Sequence, residues 1–208
     1  MSLPHPSPAP LTLCVYCGSS PGRLPEYGAA ARALGGLLAQ RGIRLVYGGG
    51  HVGLMGAVAD GALAAGGTVI GVIPRALLER ELGHREVTEL LVVRDMHERK
   101  QRMASLSDGF IALPGGYGTL EEFTEMLTWN QLGFHAKPLG LLNTAGYYDA
   151  WLALVGHMLA EGFIKPRHRD LMRVATTPEA LLDSLLATLR ATPSAAQPRG
   201  DQDMASRA

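Results

Sequence analysis

Three times in this chain a short, continuous apolar run breaks off in a cluster of glycines and small residues and gives way to a helical pattern. Residues 11–17 end in Gly18-Ser19-Ser20, residues 43–47 in Gly48-Gly49-Gly50, and residues 109–113 in Pro114-Gly115-Gly116-Tyr117-Gly118. Apolar runs without polar alternation belong to strands buried on both faces, and such strands pair in parallel under helices that cover both sides of the sheet. The rest of the chain keeps the same rhythm. Helical patterns are expected over 27–40, 54–65, 96–106, 120–132, 147–161 and 179–189. Further strands are expected over 68–73, stopped by Pro74, over 90–93, and last over 138–142. Such alternation defines an α/β domain, and a Rossmann-like, doubly wound parallel sheet with helices on both faces is the economical architecture. Ligands of open α/β sheets sit beyond the carboxyl ends of the strands, where the strand order reverses. All three glycine loops are therefore expected on one rim.

The 208 residues suffice for one such domain. The expected division is a flexible Pro-rich arm over 1–10, a single nucleotide-binding catalytic domain over 11–190, and a small, polar, disordered tail over 191–208. Charged residues make up 18%, below the roughly 25% of an average domain, so each charged cluster stands out. Lys+Arg and Asp+Glu both total 19, which leaves no basic excess for a nucleic-acid polymer. No apolar stretch reaches the roughly 20 residues of a membrane span. The segment MSLPHPSPAP lacks the basic and apolar regions of a secretory signal, and a cytoplasmic location is the expectation. Cys14 and Cys17 have C-x-x-C spacing but no second pair and no nearby histidine at ligand spacing. Residues three apart face opposite sides of a strand, so the two cysteines read as strand residues.

Gly48-x-Gly50-x-x-Gly53 formally matches the dinucleotide fingerprint between strand and helix. It follows the second strand instead of the first, and residues 68–74 hold no Asp or Glu for a ribose hydroxyl. It reads either as a tight turn with close helix–sheet packing or as backbone that approaches an anion. The segment Pro114-Gly115-Gly116-Tyr117-Gly118-Thr119-Leu120-Glu121-Glu122 is more informative. Its glycines are free to take positive φ and let successive N–H groups converge into an anion nest. Thr119 is the expected N-cap of a helix beginning at Leu120, whose dipole adds positive charge at the same point. Thr119-x-x-Glu122 is also a capping box, in which Glu122 would only satisfy an amide. Alternatively, two carboxylates beside a phosphate site suit a ligand that develops positive charge, as a ribosyl oxocarbenium ion does when a glycosidic bond breaks. Met96-His97-Glu98-Arg99-Lys100 opens a helix and is either surface charge or a clamp. Arg99 could grip a phosphate or orient a ribose with its planar fork, but it stays protonated and is no general acid.

These motifs together, with Cys17-Gly18-Ser19-Ser20, Tyr47-Gly48-Gly49-Gly50 and Gly53-Leu54-Met55-Gly56, resemble the LONELY GUY family. Its members are cytokinin riboside 5′-monophosphate phosphoribohydrolases, many once labelled lysine decarboxylases. The similarity runs from about Leu11 to Leu189. It implies a Rossmann-like homodimer that hydrolyses nucleoside 5′-monophosphates to free base and ribose 5-phosphate, with no metal or redox cofactor. It places catalysis on Arg99 and Glu122. It places substrate contacts on Ser19, Gly49, Glu81, Arg99, Lys100, Gly115, Gly116, Tyr117, Gly118, Thr119, Leu120, Glu121 and Thr128, with Glu121 on the ribose hydroxyls. Lysine decarboxylation normally runs through pyridoxal phosphate on a Schiff-base lysine, and the chain has only Lys100, Lys137 and Lys165. Two other readings share the phosphate site: a general purine nucleotide nucleosidase acting on AMP, and a non-catalytic nucleotide or cofactor carrier. Met96, Met126 and Trp129 are candidates either for the base pocket or for the core.

Overall fold

The computed structural model describes residues 10–191 apart from 79, 81 and 82. Residues 1–9 of the expected arm, the tail beyond Ala191, and Glu81 lie outside the described residues. Seven strands form one sheet: β1 (Thr12–Tyr16), β2 (Arg44–Tyr47), β3 (Val69–Pro74), β4 (Glu89–Val93), β5 (Gly109–Ala112), β6 (Leu139–Leu142) and β7 (Met172–Ala175). Their order is β4-β3-β2-β1-β5-β6-β7, and every neighbouring pair is parallel. The helices are α1 (Pro25–Gln40), α2 (Gly53–Ala64), α3 (Arg75–Leu78), α4 (Met96–Leu106), α5 (Tyr117–Gln131), α6 (Asp149–Ala160), α7 (Pro166–Arg169) and α8 (Pro178–Ala191). The chain winds outward from β1 to β4, crosses back over α4, and winds outward again from β5 to β7. The order therefore reverses between β1 and β5, and the crevice outside their carboxyl ends is the topological switch point.

Strand alternation builds two cores. Leu13, Val15 and Cys17 face one cluster with Ala31, Leu34 and Leu38 of α1, residues of α2, and Leu181, Leu182 and Leu185 of α8. Cys14 and Tyr16 face the other, with Met103 of α4 and Phe123 and Met126 of α5. The two cysteines thus sit on opposite faces, buried and unpaired. Burial pushes both thiols far above the ordinary thiol range, so neither supplies a thiolate. On the first face α1 and α2 pack in close contact. A Cβ on Gly35 would stand 2.1 Å from the Val58 carbonyl oxygen, and one on Gly61 2.2 Å from that of Arg32.

The expected strands and longer helices are all present, with ends displaced by up to three residues. The seventh strand was not expected. β7 is a half-exposed edge of four residues interrupted by Arg173, and its pairing with β6 makes it a strand. α3 and α7 are single turns, too short to leave a helical period in the sequence.

Candidate active site

The loops after β1, β2 and β5 meet at the switch point around a cavity of about 260 Å³. Its walls come from residues 15–19, Gly48, Met55, Met96 and Arg99, and from Gly116, Tyr117, Gly118, Thr119, Glu121 and Glu122.

One wall is the start of α5. The helix begins at Tyr117 with Gly116 as N-cap, a residue with no side chain to cap the first-turn amides. Thr119 is therefore not the cap expected from the sequence. It lies inside the first turn, and the Thr119–Glu122 capping box does not form. The reason is local packing: the Thr119 hydroxyl fills the space where a Gly115 Cβ would lie, 2.1 Å from that site. Helix geometry leaves the amides of Tyr117, Gly118 and Thr119 without intrahelical acceptors. Nor does the anion site need positive φ. Gly115, Gly116 and Gly118 are absent from the positive-φ glycines, and a Cβ on Gly116 or Gly118 would meet nothing within 4 Å. These two glycines keep the cavity mouth open over a helix dipole. Burial of Phe123 and Met126 holds α5 in place, at about 1.5–3 kcal/mol for each side chain.

Arg99 forms the opposite wall. It is only 7% exposed, and its guanidinium sits on the carboxyl ends of two strands. Nε donates to the Val72 carbonyl at 3.1 Å and Nη2 to that of Gly48 at 2.8 Å. A Cβ on Gly48 would lie 2.2 Å from Nη2, so any larger residue there would push the guanidinium off this seat. The third nitrogen, Nη1, stands 3.9 Å from Glu122 Oε1, and Glu122 is 9% exposed. The pair faces the cavity with its charges opposed in a largely dry setting.

The neighbouring charges have distinct tasks. Asp95 caps α4 by accepting from the Glu98 N–H at 2.9 Å, and Glu98 turns back to the Arg94 N–H and Nε. Arg94 holds the Glu98 carboxyl below its ordinary range. Lys100 bridges α4 to α5, bonded to Glu121 and 3.1 Å from Glu125 Oε1. Burial works against its charge, but the bonds to Glu121 and Glu125 outweigh it and raise its pKa. Tyr16 also reaches the cavity; burial first, then Cys14 and Glu122, keep its phenol protonated.

Ser19, Arg99, Gly116, Tyr117, Gly118, Thr119, Glu121 and Glu122 are thus brought together. Other residues singled out in the sequence lie elsewhere. Gly49 packs toward β3, with its carbonyl accepting from the His84 N–H at 3.0 Å. Gly115 lines a neighbouring cavity, Leu120 packs on the second core, and Lys100 stands behind Glu121. Thr128 is exposed about three turns along α5 and donates to the Thr124 carbonyl. Met96 lines the cavity, while Met126 is core and Trp129 packs against it. Gly48, Tyr16 and Met55 were not singled out as site residues. Position two before Gly18 on a rim-ending strand was the available signal for Tyr16.

A cavity at the strand switch point, with the N-terminus of α5 on one wall, a buried arginine on the other and Glu122 of α5 reaching toward that arginine, places this chain among the Rossmann-like α/β proteins. The sequence model of the family described as "Possible lysine decarboxylase" matches residues 55–185. A probable cytokinin riboside 5′-monophosphate phosphoribohydrolase of Oryza sativa subsp. japonica is 55% identical over 82% of this chain and 76% of its own. A cytokinin riboside 5′-monophosphate phosphoribohydrolase of Arabidopsis thaliana is 51% identical over 83% and 80%. The molybdenum cofactor binding protein of Rippkaea orientalis shares the fold at a TM-score of 0.66 and 26% identity, covering 87% of this chain and 98% of that one. The chain belongs to the LONELY GUY family. No lysine lines the cavity: Lys100 serves Glu121 and Glu125, Lys137 donates to the Ala104 carbonyl, and Lys165 is exposed.

Proposed function

We propose that this protein hydrolyses the N-glycosidic bond of cytokinin riboside 5′-monophosphates, releasing the free base and ribose 5-phosphate, with AMP as a further substrate. The observation that carries this reading is the buried Arg99–Glu122 pair, 3.9 Å apart, which joins the two walls of one small cavity beside the N-terminus of α5. The first-turn amides of α5 hold the 5′-phosphate. Glu121, steadied by Lys100, accepts from the ribose hydroxyls. As the C1′–N bond breaks, its electron pair and a proton go to the base, and the sugar becomes an oxocarbenium ion that Glu122 stabilises. Arg99 aligns the sugar and Glu122. A water held by a carboxylate adds its oxygen to C1′, and the proton it releases balances the one the departing base takes up. The relatives of rice and Arabidopsis, whose names carry this activity, support the reading. The test is incubation with isopentenyladenosine monophosphate and with AMP while free base is measured. Release from neither sinks the proposal, and comparison of kcat/KM ranks the cytokinin nucleotide against the general purine substrate.

The likeness to a molybdenum cofactor binding protein supports a second reading, a carrier that binds without turnover. The Arg99–Glu122 pair favours the enzyme, and ligand binding with no released base would favour the carrier.

The same reading includes a homodimer in the cytoplasm. α6 is largely apolar yet has no buried residue; it exposes Leu154, and Phe163 just beyond its end is exposed too. A second copy that covers α6 would remove these exposed apolar side chains from water. Light scattering on the purified protein should give twice the chain mass; a monomer at micromolar concentration refutes the dimer. No helix of the described residues is long and apolar enough to cross a membrane.

A further inference from the structure

The peptide groups that lead into α5 are held from behind. Three successive carbonyls, those of Leu113, Pro114 and Gly115, each accept one hydrogen bond from another part of the chain. The Tyr148 hydroxyl donates to Leu113 at 2.6 Å, the Gly18 N–H to Pro114 at 3.1 Å, and the Tyr147 hydroxyl to Gly115 at 2.6 Å. Every peptide bond described is trans, so each N–H points opposite to the carbonyl before it. Tyr147 and Gly115 line the cavity adjoining the active site. The carbonyl of Gly115 is thus drawn to that side, and the Gly116 N–H is sent the other way.

The two tyrosines are delivered by a turn that is itself over-determined. Asn143, 7% exposed at the end of β6, donates from Nδ2 to Asp149 Oδ1 at 2.7 Å and accepts from the Tyr148 N–H at 2.7 Å. Between them Ala145 takes φ 52°, a conformation that non-glycine residues rarely adopt and keep only when their surroundings impose it. The Tyr147 ring meets Tyr148 and Tyr27 edge-on, at 4.9 and 5.6 Å between centroids. The core role of Tyr148, which is buried, is evident. Tyr147 is 41% exposed and fills no core, so its hydroxyl has another use.

We propose that Tyr147 is a positioning residue for the phosphate cradle: its hydroxyl holds the Gly115 carbonyl out of the active-site cavity and so fixes the Gly116 N–H and the start of α5 on the substrate phosphate. This rests on the reading of α5 as the phosphate site. Tyr147→Phe keeps the ring contacts and removes only the hydroxyl. Titration calorimetry with ribose 5-phosphate, run on both proteins beside thermal melts and steady-state kinetics, tests it. The Kd for ribose 5-phosphate and the KM for the nucleotide should rise about 3–10-fold, the worth of one neutral hydrogen bond. The kcat should stay within about two-fold, since binding is lost equally from substrate and transition state, and Tm should stay within a few degrees. A purely structural tyrosine would instead lower Tm and leave Kd alone. Equal Kd for wild type and variant overturns the clamp alone. Failure of the wild type to bind ribose 5-phosphate overturns the phosphate reading and the clamp with it.

Discussion

The loops after β2 and β5 are both glycine-rich, both join a strand to a helix, and both lie on the same rim, yet they do opposite things. At the β2 loop the helix N-terminus is already occupied. The Leu54 and Met55 N–H groups donate to the Gly18 carbonyl at 3.0 and 3.3 Å. Its glycines are consumed by packing: Gly53 takes φ 64° with Ser19 where its Cβ would stand, and Gly48 makes the seat of Arg99. At the β5 loop no carbonyl of another loop among the described residues accepts from the Tyr117, Gly118 or Thr119 amides, and Gly116 and Gly118 border open space. A glycine loop binds an anion when its helix is left uncapped, and it serves packing when the protein's own carbonyl takes the anion's place.

The largest effect should come from the chemistry beside the β5 loop. Glu122→Gln keeps the size of the side chain and should lower kcat by roughly 10²–10⁴-fold, the range for a group acting on the transition state. Single-turnover assays on protein with an unchanged melt check this, and undiminished turnover removes Glu122 from catalysis.

The contrast between loops is then open to direct attack. Gly53→Ala imposes a left-handed alanine whose Cβ would lie 2.3 Å from the Ser19 backbone. It should cost roughly 2–4 kcal/mol, seen as a lower Tm and urea midpoint. Gly118→Ala should do the reverse. In the first turn of a helix, with an unhindered Cβ, alanine stabilises by about 0.5–1 kcal/mol. The added methyl enters the cavity mouth, so KM for the nucleotide should rise several-fold while Tm holds or climbs. If both variants lose stability alike, the distinction between packing loop and binding loop collapses.

The smallest expected effect lies away from the rim and serves as a control. His135 donates from Nε2 to the Met126 carbonyl at 3.0 Å and accepts at Nδ1 from the Lys137 N–H at 3.1 Å, which fits the neutral ring. Burial, with the Lys137 charge, lowers its pKa below the ordinary value, although the Met126 bond works the other way. As pH falls below about 6.5 the unfolded chain takes up the proton first, so the fold loses stability until the native ring also protonates. Melts between pH 7.5 and 5 should show a steeper decline for wild type than for His135→Gln, by about 1 kcal/mol or less. Identical slopes would mean that other groups govern the acid side.

The α/β class, the parallel sheet, the burial of β1, β3, β5 and β6, and the gathering of glycine loops on one rim were legible in the order of amino acids. These follow from the period and continuity of apolar residues, which are local properties. It also marked Arg99, Glu121 and Glu122 as charges in an otherwise lightly charged chain, and family resemblance joined them. Only the tertiary structure decided how the residues act. Thr119 is kept off the cap by its packing on Gly115, and the backbone just ahead of Gly115 is pinned by the Gly18 N–H on the Pro114 carbonyl, from a loop about a hundred residues away. Whether Gly48 serves a ligand or an arginine depends on α4, fifty residues on. β7 is a strand because β6 offers it an edge. The carbonyls of Leu113, Pro114 and Gly115 are fixed by partners from two other loops. Short-range propensity chooses the elements, but the direction of a hydrogen bond between distant loops is a property of their packing, and this site is made of such bonds.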